Sequence, residues 1–314
     1  MSTAPSDPDV SLVVVTYNSA DVIRDLLTSL SSGCEGVASR ELIVIDNASR
    51  DSTVEEVAAL APEARVIRSE GNRGYAAGVN AGAAVCRGDA ILVLNPDIRL
   101  GEGSVARLLE ELQTPGVGIA VPKLVRPDGR LIYSLRRTPT LLRSLGDALL
   151  GGRVAGRFSA LGGTVRDPAA YDRRASHSWA TGAAMLISSK CMEQVGAWDE
   201  TFFLYSEETD FALRARDQGF ILAFRPDATA VHVGGEAKVS PHLHCLQVLN
   251  RVRLISKRRG PLMGTCVWLI TLAGESVRAL SGRKIHVAGF LSLIRPSRRP
   301  VQLQGRPLVR RADG

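Results

Sequence analysis

Five short runs of β-branched and aliphatic residues, at 11–15, 41–45, 64–67, 90–94 and 116–121, alternate with helical stretches over the first 125 residues. That alternation specifies parallel strands with crossover helices, an α/β architecture. Helix starts are marked by Ser19 before ADVIRDLLTSL, by Ser52 with Glu55 three residues on as a capping box, and by Gly103 and Ser104 before VARLLEELQ. In an open α/β sheet, ligands sit beyond the carboxyl ends of the strands. The polar residues that follow these strands, Thr16-Tyr17-Asn18, Asp46-Asn47-Ala48-Ser49 and Asn95-Pro96-Asp97, therefore carry the functional information.

From 126 to 177 the pattern weakens into Gly-, Arg- and Pro-rich sequence with one helical piece near 141–150, which reads as a loop-rich, mobile insertion. Order returns with a strand at 183–188, a helix at 206–218 and two strands at 221–224 and 229–233. Beyond Ser240 the chain reads as basic helices. The expected organisation is a flexible N-terminus over 1–9, an α/β domain over 10–239 and a basic helical, membrane-proximal region over 240–314.

The net charge of +7 is unevenly spread. From Arg251 onward fourteen Lys or Arg face two acids, a net +12, while the preceding 250 residues carry 25 basic against 30 acidic side chains, a net −5. The longest apolar stretch, at 261–274, falls short of the ~20 residues that cross a bilayer. Lys257, Arg258 and Arg259 precede it, and Arg278, Arg283 and Lys284 follow. Cations on both flanks suit a segment lying on an anionic membrane surface, the competing reading being a buried helix of the core or of a homodimer. The N-terminus has no basic region followed by an apolar one, so the expected location is the cytoplasm, at the inner face of the membrane. Five cysteines without a CxxC pair argue against a secreted disulfide framework and a structural zinc site. With 45% apolar and 23% charged residues, disorder, collagen and coiled coil are excluded for the whole chain.

No GxGxxG, GxxxxGK[ST] or GxSxG motif is present, which removes the usual NAD enzymes, Walker ATPases and α/β-hydrolases. What remains is acidic residues at strand ends, a set suited to a divalent cation and a diphosphate. Asp97 follows the strand AILVLN, where a carboxylate can hold Mg²⁺ or Mn²⁺ together with phosphate oxygens. Glu207, Glu208 and Asp210 open a helix behind the aromatic stretch from Trp198 to Tyr205. An apolar wall raises a carboxylate toward the pKa of a useful base. His232 ends a strand and is a candidate metal ligand.

In order, VVVTYNSADVIRDLLTSL, LIVIDNASRDST, NRGYAAGVNAG, ILVLNPDI, WATGAAMLIS and VGAWDETFFLYSEETDFALRARDQG resemble family 2 glycosyltransferases of the GT-A fold, over about Val10 to Gly235. Within that family the chain is most similar to bacterial rhamnosyltransferase-type enzymes of cell-surface polysaccharide. The resemblance implies that Thr16, Tyr17 and Asn18 line a nucleotide pocket and that Asp46 and Asn47 contact base or ribose. Gly74 and Asn80 match the segment closing over nucleotide or sugar. Asn95 and Asp97 match the ends of the metal-binding DxD motif, here Asn95-Pro96-Asp97, which leaves one carboxylate where many relatives have two and makes His232 a second ligand. Glu207-Glu208 takes the family's Glu-Asp position, with Glu208 as the base and Glu207 or Asp210 as substitutes. Trp179, Gly182 and Trp198 suit packing against acceptor or sugar, and the insertion suits acceptor selection.

The implied activity is an inverting transfer from a dTDP- or UDP-sugar, with rhamnose as the family-based sugar, to a saccharide or polyprenyl-linked acceptor. Two other classes compete. A sugar nucleotidyltransferase would need a Gly-rich, Arg-bearing loop where this chain has TYNSAD. A nucleic-acid module would interleave aromatics with the basic residues, and this tail does not.

Overall fold

The computed structural model describes residues 8–234 and 240–309. Residues 1–7 of the expected N-terminal segment, Gly235 at the end of the motif span and residues 310–314 lie outside the described residues. β1 (Val10–Thr16) is followed by α1 (Ala20–Gly33), β2 (Arg40–Asp46), α2 (Thr53–Leu60), β3 (Arg65–Arg68) and α3 (Tyr75–Ala83). β4 (Ala90–Leu94) leads through a turn to β5 (Ile98–Leu100), α4 (Ser104–Leu112) and β6 (Val117–Val125). Next come β7 (Leu135–Arg136), α5 (Leu141–Ala155), β8 (Ala175–His177), β9 (Trp179–Ala180) and β10 (Ala184–Ser188). α6 (Ser189–Val195), α7 (Glu207–Asp217), β11 (Ile221–His232), α8 (Pro241–Ala279) and α9 (Lys284–Ile294) complete the chain.

Nine strands form one sheet in the order β3-β2-β1-β4-β10-β6-β11-β5, with β8 also on β11. β3, β2, β1, β4, β6 and β11 run one way, whereas β10, β5 and β8 oppose them, so the sheet is mostly parallel. Every residue of β1 is buried, as a central strand covered on both faces requires. Successive side chains alternate between faces. Val10, Leu12 and Val14 enter one core with Ile23, Leu26 and Leu108, while Val13 and Val15 enter the other with Val79 and Phe211. α3 lies close to β1 because Gly78 and Gly82 have no Cβ, which would stand 2.5 Å from the methyls of Val15 and Val13.

Two expectations are corrected. Ser52 caps nothing with its side chain. Asp51 Oδ1 instead accepts from the Thr53 N–H at 3.2 Å and hydroxyl at 2.5 Å, because an Asx turn satisfies the first turn of α2. The strands at 221–224 and 229–233 are one strand, β11. Its RPD segment resembles a break, but a register shift absorbs it and buried Arg225 pairs there with Asp227, Glu110 and Glu111. Within the 126–177 segment, fully buried Tyr171 accepts from Leu135 N at 2.9 Å and donates to Val165 O at 3.1 Å.

The C-terminal helices are built onto the α/β domain. Fully buried Asn250 of α8 donates its amide to the carbonyls of Phe202, Leu204 and Tyr205 at 2.6, 2.9 and 3.2 Å. Arg251 pairs with Asp147 of α5 at 3.0 Å, and Lys257 with Asp199 at 2.6 Å. α8 bends at Gly260, whose φ is +84°, just before Pro261. Among the described residues no helix is long and apolar enough to cross a membrane. Replacing Asn250 by Leu strips these carbonyls of their buried donor, at about 2 kcal/mol or more. Urea unfolding is expected to register that loss; an unchanged midpoint would mean the loop holds without it.

Candidate active site

At the carboxyl end of β1 and β2, Thr16 and Asp46 are completely buried and bound to each other, Oγ1 to Oδ1 at 3.0 Å. Asp46 Oδ2 accepts from Ser49 N at 3.0 Å, and Arg68 stands 3.9 Å away. The loop beyond β1 is shaped by Asn18, whose φ is +50° and whose side chain accepts from Arg50 N at 2.9 Å. Tyr17, beside it, is exposed, at 48%. Asn47 turns inward, donating to Gly74 O at 3.0 Å.

Asn95 and Asp97 leave β4 in a turn that feeds β5. β5 pairs antiparallel with β11, Ile98 opposite His232, and this register sets Asp97 beside a residue 135 positions away. Asp97 Oδ2 lies 3.3 Å from His232 Nε2 and accepts from Gly234 N at 2.8 Å. Burial works to raise the Asp97 carboxyl, but the hydrogen bond and charge of His232 and the Gly234 N–H outweigh it and hold the group below the usual range. One carboxylate oxygen and one imidazole nitrogen side by side fit a divalent cation such as Mn²⁺. Asn95 N donates to Ala183 O at 2.9 Å, tying this turn to the WATGA segment.

The three acids of α7 have different fates. Asp210 is fully buried and held by Arg214 and Lys257, both at 2.9 Å, so it is a structural anchor. Glu207 is 3% exposed, and Glu208 is the more open of the pair. Each keeps a buried Oε2 with no partner. Burial, and then the Glu208 charge, push Glu207 well above its ordinary value. Burial also raises Glu208, offset in part by N–H groups of the first turn and by Arg136. Gly182 faces Glu208 directly: a Cβ there would lie 2.9 Å from the Glu208 Cβ.

Asn80 and Trp198 serve the core. Asn80 donates to Trp198 O at 2.9 Å and accepts from Trp198 N at 2.8 Å, and the indole, 1% exposed, stacks on Phe211 at 5.2 Å. Trp198 is thus the wall behind α7 and not an acceptor surface. Trp179 is half-buried, donates to Arg137 O at 3.1 Å and carries the Arg136 guanidinium over its ring. Two residues join the site without having been singled out in the sequence. The Tyr75 hydroxyl is buried without a partner, and burial with the charges of Glu207, Glu208 and Asp97 raises its pKa well above normal. Arg136, from the insertion, has a buried Nε with no partner and acts on Glu208. Tyr75 sits within the quoted motif NRGYAAGVNAG; Arg136 carries no sequence signal.

A mostly parallel sheet with an acid–imidazole pair at its carboxyl edge and an adjacent acid pair opening α7 is the layout of the GT-A fold. The mannosyltransferase of Pyrobaculum calidifontis, solved with GDP-Man and Mn²⁺, shares the fold: TM-score 0.56 at 15% identity, over 93% of this chain and 85% of that one. S. aureus TarS matches with TM-score 0.53 at 17% identity over 87% of this chain, which spans only 44% of TarS. The chain belongs to glycosyl transferase family 2, whose family model matches residues 11–168. A curated relative, the N-acetylglucosaminyl-diphospho-decaprenol L-rhamnosyltransferase of Mycobacterium tuberculosis, is 29% identical over 240 residues, 70% of this chain and 75% of that protein.

The raised Glu207 value has a consequence for stability. The native state keeps a proton that the unfolded chain releases near the ordinary value of 4.5, so this contribution is full below that pH and is lost as pH rises through the native value. Glu207→Gln is expected to flatten that slope and to exceed the wild type at neutral pH by about 1 kcal/mol or more. Denaturant melts across a pH series check this, and parallel slopes for the two proteins would refute it.

Proposed function

We propose that this chain is an inverting glycosyltransferase that moves a sugar, rhamnose on the strength of its mycobacterial relative, from a nucleoside diphosphate donor to a hydroxyl of a lipid-linked or saccharide acceptor in cell-envelope glycan synthesis. The observation that carries the reading is the adjacent Glu207–Glu208 pair at the start of α7, each with a buried oxygen that has no partner. The acceptor hydroxyl attacks C1 of the donor sugar while Glu208 takes its proton, and the C1–O bond to the diphosphate breaks on the opposite face. Glu207, raised by burial, holds a proton beside it and spares Glu208 a second adjacent charge. Gly182 lets the WATGA segment pack directly against Glu208, and the Arg136 charge works against the rise that burial imposes on this carboxyl. Tyr17, Asn18, Asp46 and Asn47 form the nucleotide end. Asp97 and His232 would hold Mg²⁺ or Mn²⁺, which as a Lewis acid supplies neutralisation of the charge on the departing diphosphate.

The acceptor end suits a membrane. After its bend α8 exposes Leu262, Leu269 and Val277, at 75, 53 and 68%, and its C-cap residue Leu280, at 88%, on one helical stripe. α5, touching α8 at Ala148 and Gly274, adds exposed Leu142 and Leu149, and exposed Arg283, Lys284, Arg295 and Arg298 lie nearby in sequence. Leucines with cations at their edge match an anionic lipid surface, where a polyprenyl-linked acceptor resides, at the inner face of the cell membrane.

Glu208→Gln is expected to bind nucleotide-sugar by calorimetry yet lose transfer by about 10²–10⁴-fold. Asp97→Ala and EDTA are each expected to abolish nucleotide release from a panel of dTDP-, UDP- and GDP-sugars. Transfer that survives all three treatments would defeat the assignment. Sedimentation with phosphatidylglycerol vesicles, but not with phosphatidylcholine vesicles, is expected for the wild type and lost in Leu262→Glu/Leu280→Glu. Equal pelleting of both proteins would exclude the lipid surface.

A further inference from the structure

Outside the transferase site, three ligand-type side chains converge at the C-terminal helices. His244 lies in the first part of α8, Glu275 near the end of α8 beyond the bend, and His286 in α9. Glu275 Oε2 stands 3.0 Å from His244 Nε2 and 3.0 Å from His286 Nδ1, and the three ligand atoms all lie within 4.8 Å of one another. The two rings meet edge to face with centroids 5.1 Å apart. Glu275 is 4% exposed, and its other oxygen, Oε1, is 3.4 Å from Arg278. Gly289 of α9 keeps the centre open: a Cβ there would lie 2.8 Å from Glu275 Oε2 and 3.2 Å from His244 Nε2.

We propose that His244, Glu275 and His286 form a second metal site that takes Zn²⁺, independent of the cation at Asp97 and His232. Two imidazole nitrogens with one carboxylate oxygen are a zinc donor set, and bond lengths near 2.0–2.2 Å put neighbouring ligand atoms on a tetrahedral site about 3.3 Å apart. The observed 3.0 Å spacings are close to that edge length. With two nitrogens to one carboxylate oxygen, this set leans further toward Zn²⁺ than the one-nitrogen pair of Asp97 and His232. Binding takes place through the lone pairs of His244 Nε2 and His286 Nδ1, the proton of each neutral ring residing on its other nitrogen, and leaves a fourth position for water. Cysteine spacing speaks only to thiolate sites. This one is legible only after folding, since its ligands are 31 and 11 residues apart along the chain.

The metal would join both arms of bent α8 to α9. The first arm carries Asn250, Arg253 and Lys257, which grip the loop before Glu207. Zinc would therefore stiffen the support of the base without touching substrate. A metal that binds the folded site but not the unfolded chain raises the melting temperature.

The test uses full-length, EDTA-treated protein and needs no donor or acceptor. Co²⁺ titration is expected to give the visible absorption of a tetrahedral N/O site, saturating at about one equivalent per chain and displaced by Zn²⁺. Zn²⁺ is expected to raise the melting temperature of the wild type and of Asp97→Asn equally, and to leave Glu275→Gln and His286→Ala unmoved. Glu275→Gln keeps side-chain size and hydrogen bonding, and circular dichroism identifies either variant that fails to fold. The proposal is overturned if the wild type gives no cobalt band, if the band persists in a folded Glu275→Gln, or if it disappears in Asp97→Asn instead.

Discussion

Between Phe203 and Ser206 the backbone takes left-handed torsions at three non-glycine residues, with φ of 65°, 67° and 79° at Phe203, Tyr205 and Ser206. Each costs about 1–3 kcal/mol outside a context that enforces it. The enforcement comes from both sides. Leu204 N closes a tight turn onto Phe202 O at 2.8 Å, and Tyr75 N donates to Phe203 O at 2.7 Å. Gly74 permits that approach, since a Cβ would stand 2.4 Å from the same oxygen. From the other side Asn250 shares its two amide hydrogens among three carbonyls of the turn. The strained loop ends at the first residue of α7, so the position of Glu207 and Glu208 depends on α3 and α8 together.

The same loop explains how the site maintains unsatisfied acids. A buried carboxyl oxygen without a partner is unfavourable, and here two are on adjacent residues. Asp210 and Asp199, close by, are neutralised by Arg214 and Lys257, with Asp199 held at about 2 despite burial by the Lys257 hydrogen bond and charge and by Thr201. The neighbourhood thus contains paired acids that fasten α7 and an unpaired couple left for chemistry. Part of the basic tail serves this fastening, Lys257 through Asp199 and Asp210 and Arg258 through Asp217, while Arg251 and Arg278 pair with Asp147 and Glu275 away from α7. Its exposed cations are concentrated beyond the bend, where the exposed leucines lie.

Legibility followed the range of the interactions. Thr16, Asp46 and Asp97 could be found because strand ends announce themselves through short apolar runs followed by polar turns. Glu207 and Glu208 could be found because acids at a helix start behind aromatics are a local pattern. Asn80 and Trp198 stood out for their residue types, yet they bond to each other across 118 positions, and no local rule separates a buried clamp from a sugar contact. Arg136 went unseen because its segment has no periodicity, and it acquires its place only when β7 pairs with β9.

The sequence by itself determined the α/β class, the strands β1 to β4, the helices α1, α2 and α4, the family resemblance and the identity of the acids, because periodicity and turn chemistry act over a few residues. Tertiary structure alone decided which acid is free and which is anchored, since that depends on cations delivered by α8. It also decided that Asp97 meets His232, through the antiparallel register of β5 on β11, and that two histidines and a glutamate of the tail converge. Such pairings are set by how faces pack over tens of residues, and one-dimensional spacing does not encode them.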